Sequence, residues 1–323
     1  MAEISVSWRF AHVNDSHLGT PRSYRFRPAI NARWAAIKEQ IATSGVDLLL
    51  HGGDLTRDGD CHEEEYRLAK ADLDTLPFPV HVIPGNMDVG NKVVPPCEGF
   101  SPPHVMTSDR LDLFSEYFGP PFWTFVHRNV RFTGFYAAVA GTGIAHENQF
   151  WEFLESLPGE EPAQHHVAVM HYWPFVESVD EGDVDVVDPD TYQTRYFTID
   201  RVHRERMLAL LQQAGVAWLF CGHVHTGRPP VEACGMRIYR TPAAGNHSQF
   251  ENRWDDIETR WGFHLCTVTD VGIDVVFVPG DNQCAEFSSY GPGGHPPLEG
   301  RDYSVAPEQP PLEPDARALL RKP

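Results

Sequence analysis

The sequence predicts an α/β fold, and two observations carry that reading. Short apolar runs of strand type alternate with stretches whose apolar residues recur at helical spacing. Polar clusters fall repeatedly where an apolar run gives way to a loop, the strand ends at which α/β proteins collect chemical groups. Two strand–helix–strand units in tandem at the start of the chain imply a parallel sheet with right-handed crossovers.

Residues 8–14 read as a strand running into Asp15. Residues 28–44 place Ile30, Trp34, Ile37 and Ile41 on one helical face, and Gly45 ends that helix. Residues 46–50 are apolar but for Asp47, as in a strand covered on both faces, and deliver Asp54 to the next loop. Residues 61–76 form a charged amphipathic helix whose Glu63-Glu64-Glu65 reads as a solvated first turn, where acids favour the helix dipole. Residues 80–83 are a strand stopping at Pro84-Gly85-Asn86. A loop without periodicity (92–108), a short helix (109–118), a hairpin around Arg128-Asn129 (123–136), a helix (146–157) and a strand (166–170) lead to His171. Residues 176–196, with Asp180, Glu181, Asp183, Asp185, Asp188 and Asp190, form a long acidic insertion, read as a solvated loop or a lid. A helix (199–214) and a strand (216–220) follow, and residues 237–241, 263–269 and 273–278 read as a closing antiparallel group. Pro and Gly dominate from Asp281 onward, so the expected organisation is one domain over residues 1–280 and a loosely ordered tail over 281–323.

At 323 residues and 41% apolar content the chain can bury a substantial core. A net charge of -19 disfavours nucleic-acid duplexes and anionic membrane surfaces as partners and points to a small substrate. Six cysteines without a CxxC pair read as reduced, mostly buried thiols. Neither a signal-type start nor an apolar run of membrane length occurs, so a cytoplasmic protein is expected.

Five polar clusters in a fixed order carry the chemistry: Asp15-Ser16-His17, Gly53-Asp54, Gly85-Asn86, His171 and Gly222-His223-Val224-His225. Any one alone is uninformative, and a lone histidine such as His127 or His264 is ordinarily a hydrogen-bonded core or surface residue. Together they supply carboxylate oxygens, an amide oxygen and imidazole nitrogens, a mixed shell suited to Mn, Fe or Zn rather than Ca or Mg alone. Asp54 offers two oxygens, which lets one carboxylate bridge two cations. Gly52, Gly53, Gly85 and Gly222 leave room for tight turns beside the ions.

The order and spacing of these clusters resemble the calcineurin-like metallophosphoesterase superfamily, whose pattern runs D-x-H, G-D, G-N-H-[DE], H and G-H-x-H. The resemblance covers roughly residues 8–278 and implies a four-layer α/β/β/α sandwich, two mixed β-sheets flanked by helices. It implies a dinuclear site with Asp15, His17, Asp54 and His225 on one metal and Asp54, Asn86, His171 and His223 on the other. Asp54, Asn86 and His223 are the residues it implies for catalysis. The D-x-H opening and Tyr239-Arg240-Thr241-Pro242 resemble the branch of class III cyclic-nucleotide phosphodiesterases. Purple acid phosphatases are less similar, since His17 replaces their open first motif and their ligand tyrosine has no counterpart after Asp54. The implied activity is a hydrolysis in which a hydroxide held by two transition-metal ions attacks phosphorus in line.

Met87 stands where the pattern has its third-motif histidine, and a thioether cannot protonate a leaving group at neutral pH. General-acid help is worth about 10²–10⁴-fold, so its loss falls hardest on poor leaving groups. Small nucleotide-like or activated diesters are therefore the expected substrates, with Asn86, Met87 and Arg195 near them. His12, His51, His81, Tyr192, Tyr196 and His247 are candidate substitute donors, and Asp88, without an imidazole partner, is expected to orient Asn86 or a water. The alternatives are a phosphoprotein or phosphomonoester phosphatase on the same scaffold, and a metal-binding interaction module without turnover.

Overall fold

The computed structural model describes residues 7–20, 28–92, 105–175, 178–183, 198–245 and 258–281. In chain order its elements are β1 (Trp8–Val13), α1 (Pro28–Thr43), β2 (Leu48–His51), α2 (Glu63–Leu73), β3 (Val80–Val82), α3 (Asn86–Val89), α4 (Ser108–Phe118), β4 (Phe122–His127), β5 (Val130–Phe135), α5 (Ala145–Ser156), β6 (His165–Met170), α6 (Arg201–Gln213), β7 (Trp218–Cys221), β8 (Val231–Ala233), β9 (Met236–Arg240), β10 (Gly262–Val268) and β11 (Ile273–Pro279).

These strands make two mixed sheets, ordered β11-β10-β1-β2-β3 and β4-β5-β6-β7-β9-β8. The parallel pairing of β1 with β2 and of β2 with β3 follows the predicted strand–helix–strand units. A second parallel run, β5-β6-β7-β9, repeats the pattern in the other sheet.

Alternation along the strands builds the layers. Trp8 and Phe10 of β1, with Leu48 and Leu50 of β2, meet Val130, Phe132, Val167, Val169 and Phe220 of the second sheet. Phe10 and Phe132 pack edge to face with centroids 5.1 Å apart. The intervening Ala11, Val13 and Leu49 face the other way and pack with Trp34, Ile37 and Ile41 of α1 in the helix-covered layer. Gly45, at φ +70°, ends α1 as its position predicts.

One expectation is corrected. The closing segments do not form one antiparallel group: β10 pairs antiparallel with β1 and β11, whereas β9 lies in the other sheet, parallel to β7 and antiparallel to β8. Alternation tells which residues of a strand face inward but not which strand lies beside it. The three-residue β8 and four-residue α3 are too short for a periodicity to reveal.

The ends of the acidic insertion are fastened by one buried side chain: Arg204 donates to the carbonyls of Val179 and Ile199, both at 3.1 Å, and to that of Glu181. Asp183 Oδ1 accepts from Arg201 N at 2.6 Å. Asp185, Asp188, Asp190, Tyr192, Arg195, Tyr196, His247, most of the 92–108 loop and tail residues 282–323 lie outside the described residues. The described cysteines, Cys61, Cys221, Cys234 and Cys266, are free thiols. Among the described residues no helix is long and apolar enough to cross a membrane.

Candidate metal centre

Each polar cluster follows the C-terminal end of a strand: Asp15 and His17 after β1, Asp54 after β2, Asn86 after β3, His171 after β6, and His223 and His225 after β7. Backbone bonds sew these loops together beyond the sheets. Asp15 N donates to Gly53 O and His17 N to Asp54 O, both at 3.0 Å, and Gly222 N donates to His171 O at 2.8 Å. Bonds from Ala244 N to Asn14 O (2.9 Å) and Gly245 N to Asp15 O (3.1 Å) tie the chain beyond β9 to the first cluster.

Backbone strain collects here. Asp15, His17, Asp54, His223 and His225 all adopt positive φ, between 47° and 69°, a region that costs a non-glycine residue about 1–3 kcal/mol. Strain of that kind persists where surrounding structure over-determines it, and it turns five polar side chains inward. Gly85 is required by proximity, since a Cβ there would stand 2.2 Å from Asp54 Oδ1. Gly53, at φ +95°, packs its α-carbon against the Pro84–Gly85 peptide in the same way.

The side chains converge as two groups that share Asp54: Asp15, His17, Asp54 and His225, and Asp54, His171 and His223, with ligand atoms within 4.8 Å of one another in each. In the first group His17 Nε2 lies 3.1 Å from His225 Nε2 and 3.7 Å from both Asp15 Oδ1 and Asp54 Oδ2. In the second, His171 Nε2 lies 3.4 Å from Asp54 Oδ2 and 3.2 Å from Asn86 Oδ1. Donor atoms that share one cation at 2.0–2.2 Å stand about 3–3.5 Å apart, so these separations are of the right size. Asp54 Oδ1 accepts from Met87 N at 2.7 Å, which leaves Oδ2 as the atom that faces both groups.

The donor set fits cations on independent grounds. Asp15 Oδ1 is buried with no hydrogen-bond partner, 3.5 Å from His225 Nε2. Burial raises the Asp15 pKa, yet the neighbouring His225 above all, with His171 behind it, brings the carboxyl below its usual range. Burial opposes a charged His171, but Asp54 above all pulls its pKa up to about 9. A site that drives a buried imidazole toward charge is one in which a cation displaces protons. His171 Nδ1–H donates to Gly52 O at 2.8 Å, which fixes the ring and turns the Nε2 lone pair inward.

Of the candidate substitute donors, three are described. His12 is buried, with Nδ1 on Thr241 Oγ1 at 2.9 Å. His51 accepts from Gly53 N at Nδ1 (3.3 Å) and meets Ser16 Oγ at Nε2 (3.0 Å), with burial first and His171 second pushing its pKa down to about 3. His81 stacks on Phe125 at 3.9 Å. Met87 is buried, its Sδ 3.3 Å from Asn86 Nδ2. Asp88 neither orients Asn86 nor holds a ring: Oδ1 accepts from Thr56 N (2.9 Å) and Oγ1 (2.7 Å), and Oδ2 from Gly85 N (2.8 Å) and Leu55 N (3.2 Å). It clamps the Asp54 loop to the Asn86 turn.

Glu65 corrects another expectation. Far from being solvated, it is fully buried and accepts from Thr20 N at Oε1 (2.8 Å) and Asp58 N at Oε2 (2.7 Å), bracing the two strained loops against α2. Glu65→Leu is expected to lower stability by about 2–6 kcal/mol, the cost of two unpaired buried N–H groups, less the relief of removing a charge beside Asp58. Urea unfolding measures this, and a change under about 1 kcal/mol would show that the brace is dispensable. Also missed were Asn91, Asn14 (whose Nδ2 donates to Asp15 Oδ2), Tyr172 (ring 4.2 Å from that of His223) and Arg57, whose guanidinium stands 3.5 Å from His17 Nδ1. None belongs to a motif, and only the run from Asp54 to Arg57 in one loop hinted at the last.

Residues 9–227 match the model of the calcineurin-like phosphoesterase family. No curated protein matches the chain in sequence. Among solved structures it is similar to a purple acid phosphatase from yellow lupin (Lupinus luteus) seeds, with 15% identity, a TM-score of 0.57 and coverage of 87% of this chain but 53% of that one. It thus spans about half the lupin chain. It is also similar to GAP50, the anchor in the inner membrane complex of Plasmodium (14% identity, TM-score 0.51, 87% of each chain), and to a dimetal phosphatase from Danio rerio (13%, 0.47, 85% of this chain and 99% of that one). At such identities the first two are likenesses of fold.

Proposed function

The chain belongs to the calcineurin-like phosphoesterase family, and from that membership we propose that it is a dinuclear phosphodiesterase acting on a small, nucleotide-like or activated diester. As a member it is a metal-dependent phosphoester hydrolase. The choice of a diester is carried by one observation: Met87, a thioether, occupies the donor position, buried against Asn86.

Asp15, His17, Asp54 and His225 would hold one cation, and Asp54, Asn86, His171 and His223 the other, with Mn, Fe or Zn suited to the mixed oxygen and nitrogen shell. Bound there, such ions supply a water made acidic enough to attack at neutral pH and neutralise charge on the phosphoryl group. The chain's own part is placement. Gly52 O sets the His171 tautomer, Met87 N turns Asp54 Oδ2 inward, and the buried loops keep bulk water from the ligand atoms. With a thioether in the donor position, an alcohol that leaves as a stable anion is favoured. The net charge of -19 agrees with a small substrate and with neither a nucleic-acid duplex nor a membrane as partner.

The test is manganese-dependent hydrolysis of bis(p-nitrophenyl) phosphate against p-nitrophenyl phosphate. The diester is expected to be turned over at least about tenfold faster in kcat/KM, a difference of about 1.4 kcal/mol in transition-state stabilisation. The reverse preference would hand the protein to the phosphomonoester reading, and bound metal without turnover of either ester to the interaction module.

A further inference from the structure

We propose that Asn91 is a positioning residue that decides which end of the Asn86 amide faces the cation site, and thereby sets metal affinity in the half of the centre that contains His171. The inference rests on the dinuclear reading above and adds to it a residue outside every motif.

An asparagine amide presents an acceptor at one end and two donors at the other, and only the oxygen can serve a cation. Asn86 Oδ1 points at His171 Nε2, 3.2 Å away, while its Nδ2 donates to Asn91 Oδ1 at 2.9 Å. With His171 Nδ1 donating to Gly52 O, its Nε2 and Asn86 Oδ1 face the same point, and a cation held there needs the amide oxygen rather than an N–H beside that nitrogen. The acceptor at Asn91 opposes a flip of the amide, because the flipped state would set Asn86 Oδ1 against Asn91 Oδ1. The sulfur of Met87, 3.3 Å from Nδ2, is only a weak acceptor.

The backbone that carries Asn91 is held. The turn from Asn86 closes through Gly90 N to Asn86 O at 2.9 Å, and Gly90 at φ +100° reverses the chain so that the next side chain returns toward Asn86. Tyr136 Oη donates to Gly90 O at 3.2 Å, and Asn91 O accepts from Met106 N at 2.9 Å. Asn91 is 8% exposed, so water does not readily take over its role. Supporting partners of metal ligands typically matter by about 10–100-fold in affinity.

The experiment is calorimetric titration of the metal-stripped full chain with Mn²⁺, comparing wild type, Asn91→Asp, which keeps an acceptor, and Asn91→Leu, which has none. Wild type is expected to take two ions. Asn91→Asp should keep both affinities within about threefold, while Asn91→Leu should weaken one site by about 10–100-fold and spare the other. Should the leucine variant not fold, Asn91→Ala carries the same expectation. Selective weakening restored by the acidic variant is something a general loss of stability would not produce. Two unchanged sites in Asn91→Leu, or equal weakening in Asn91→Asp and Asn91→Leu, would overturn the role of Asn91 and leave the dinuclear reading standing. A wild type that binds no Mn²⁺ would remove both.

Discussion

Asp54→Asn is expected to abolish metal-dependent hydrolysis, with a loss of at least about 10³-fold, while leaving the fold intact. The asparagine can keep its Oδ1 on Met87 N, the bond that orients the native carboxylate at 2.7 Å. Its amide nitrogen then occupies the place of Oδ2, the atom 3.4 Å from His171 Nε2 and 3.7 Å from His17 Nε2. A donor replaces the shared acceptor, and one negative charge leaves a buried cluster that needs it to hold cations. The attacking water would fall back toward its bulk acidity, from a pKa of about 7 in the best metal sites to 15.7. Metal content should drop from two ions to one or none per chain, with near-ultraviolet circular dichroism unchanged. Turnover within tenfold of wild type at full folding would refute the shared-ligand role.

Met87→His is expected to act in the opposite direction, and selectively. An imidazole beside Asn86 restores a proton donor to the leaving-group position, so hydrolysis of an alkyl ester should rise by about 10–100-fold, whereas bis(p-nitrophenyl) phosphate, whose phenolate needs no proton, should change less than about threefold. The gain should fall short of the 10²–10⁴-fold typical of a general acid. Asp88, the neighbouring carboxylate, already spends both oxygens on Leu55 N, Thr56 N, Thr56 Oγ1 and Gly85 N. It has no oxygen left to orient the new ring, and burial, then Asp54, already push its pKa up to about 7. Equal changes on both esters would mean that residue 87 does not face the departing oxygen, and the argument for an activated diester would fall with it.

The strands that carry the site were legible because burial on two faces writes a simple code. A run such as Leu48-Leu49-Leu50 admits no other reading than a covered strand, and Ile30, Trp34, Ile37 and Ile41 mark one helical face that is indeed buried. The ligand residues were legible for a different reason: carboxylates, amides and imidazoles grouped at strand ends are costly unless they have a purpose, and five such groups in order leave a single economical explanation. The resemblance then divided them into two sets; in space the side chains of Asp15, His17, Asp54 and His225 gather as one group, and those of Asp54, His171 and His223 as another.

What escaped the sequence is whatever depends on partners distant along the chain. Glu65 looks like any acid in a first turn, and only the approach of Thr20 N and Asp58 N makes it a buried brace. Residues 237–241 read as one more closing strand, and only pairing with β7 assigns them to the second sheet. Asp54 could have given either oxygen to the site until Met87 N claimed one. The sequence by itself determined the longer elements, the candidate ligand chemistry and the missing donor, because these follow from residue type and local period. The tertiary structure alone decided sheet membership, the left-handed backbone at five ligand residues and the orientation of each donor atom, because those are set by hydrogen bonds between loops that meet only when the two sheets pack.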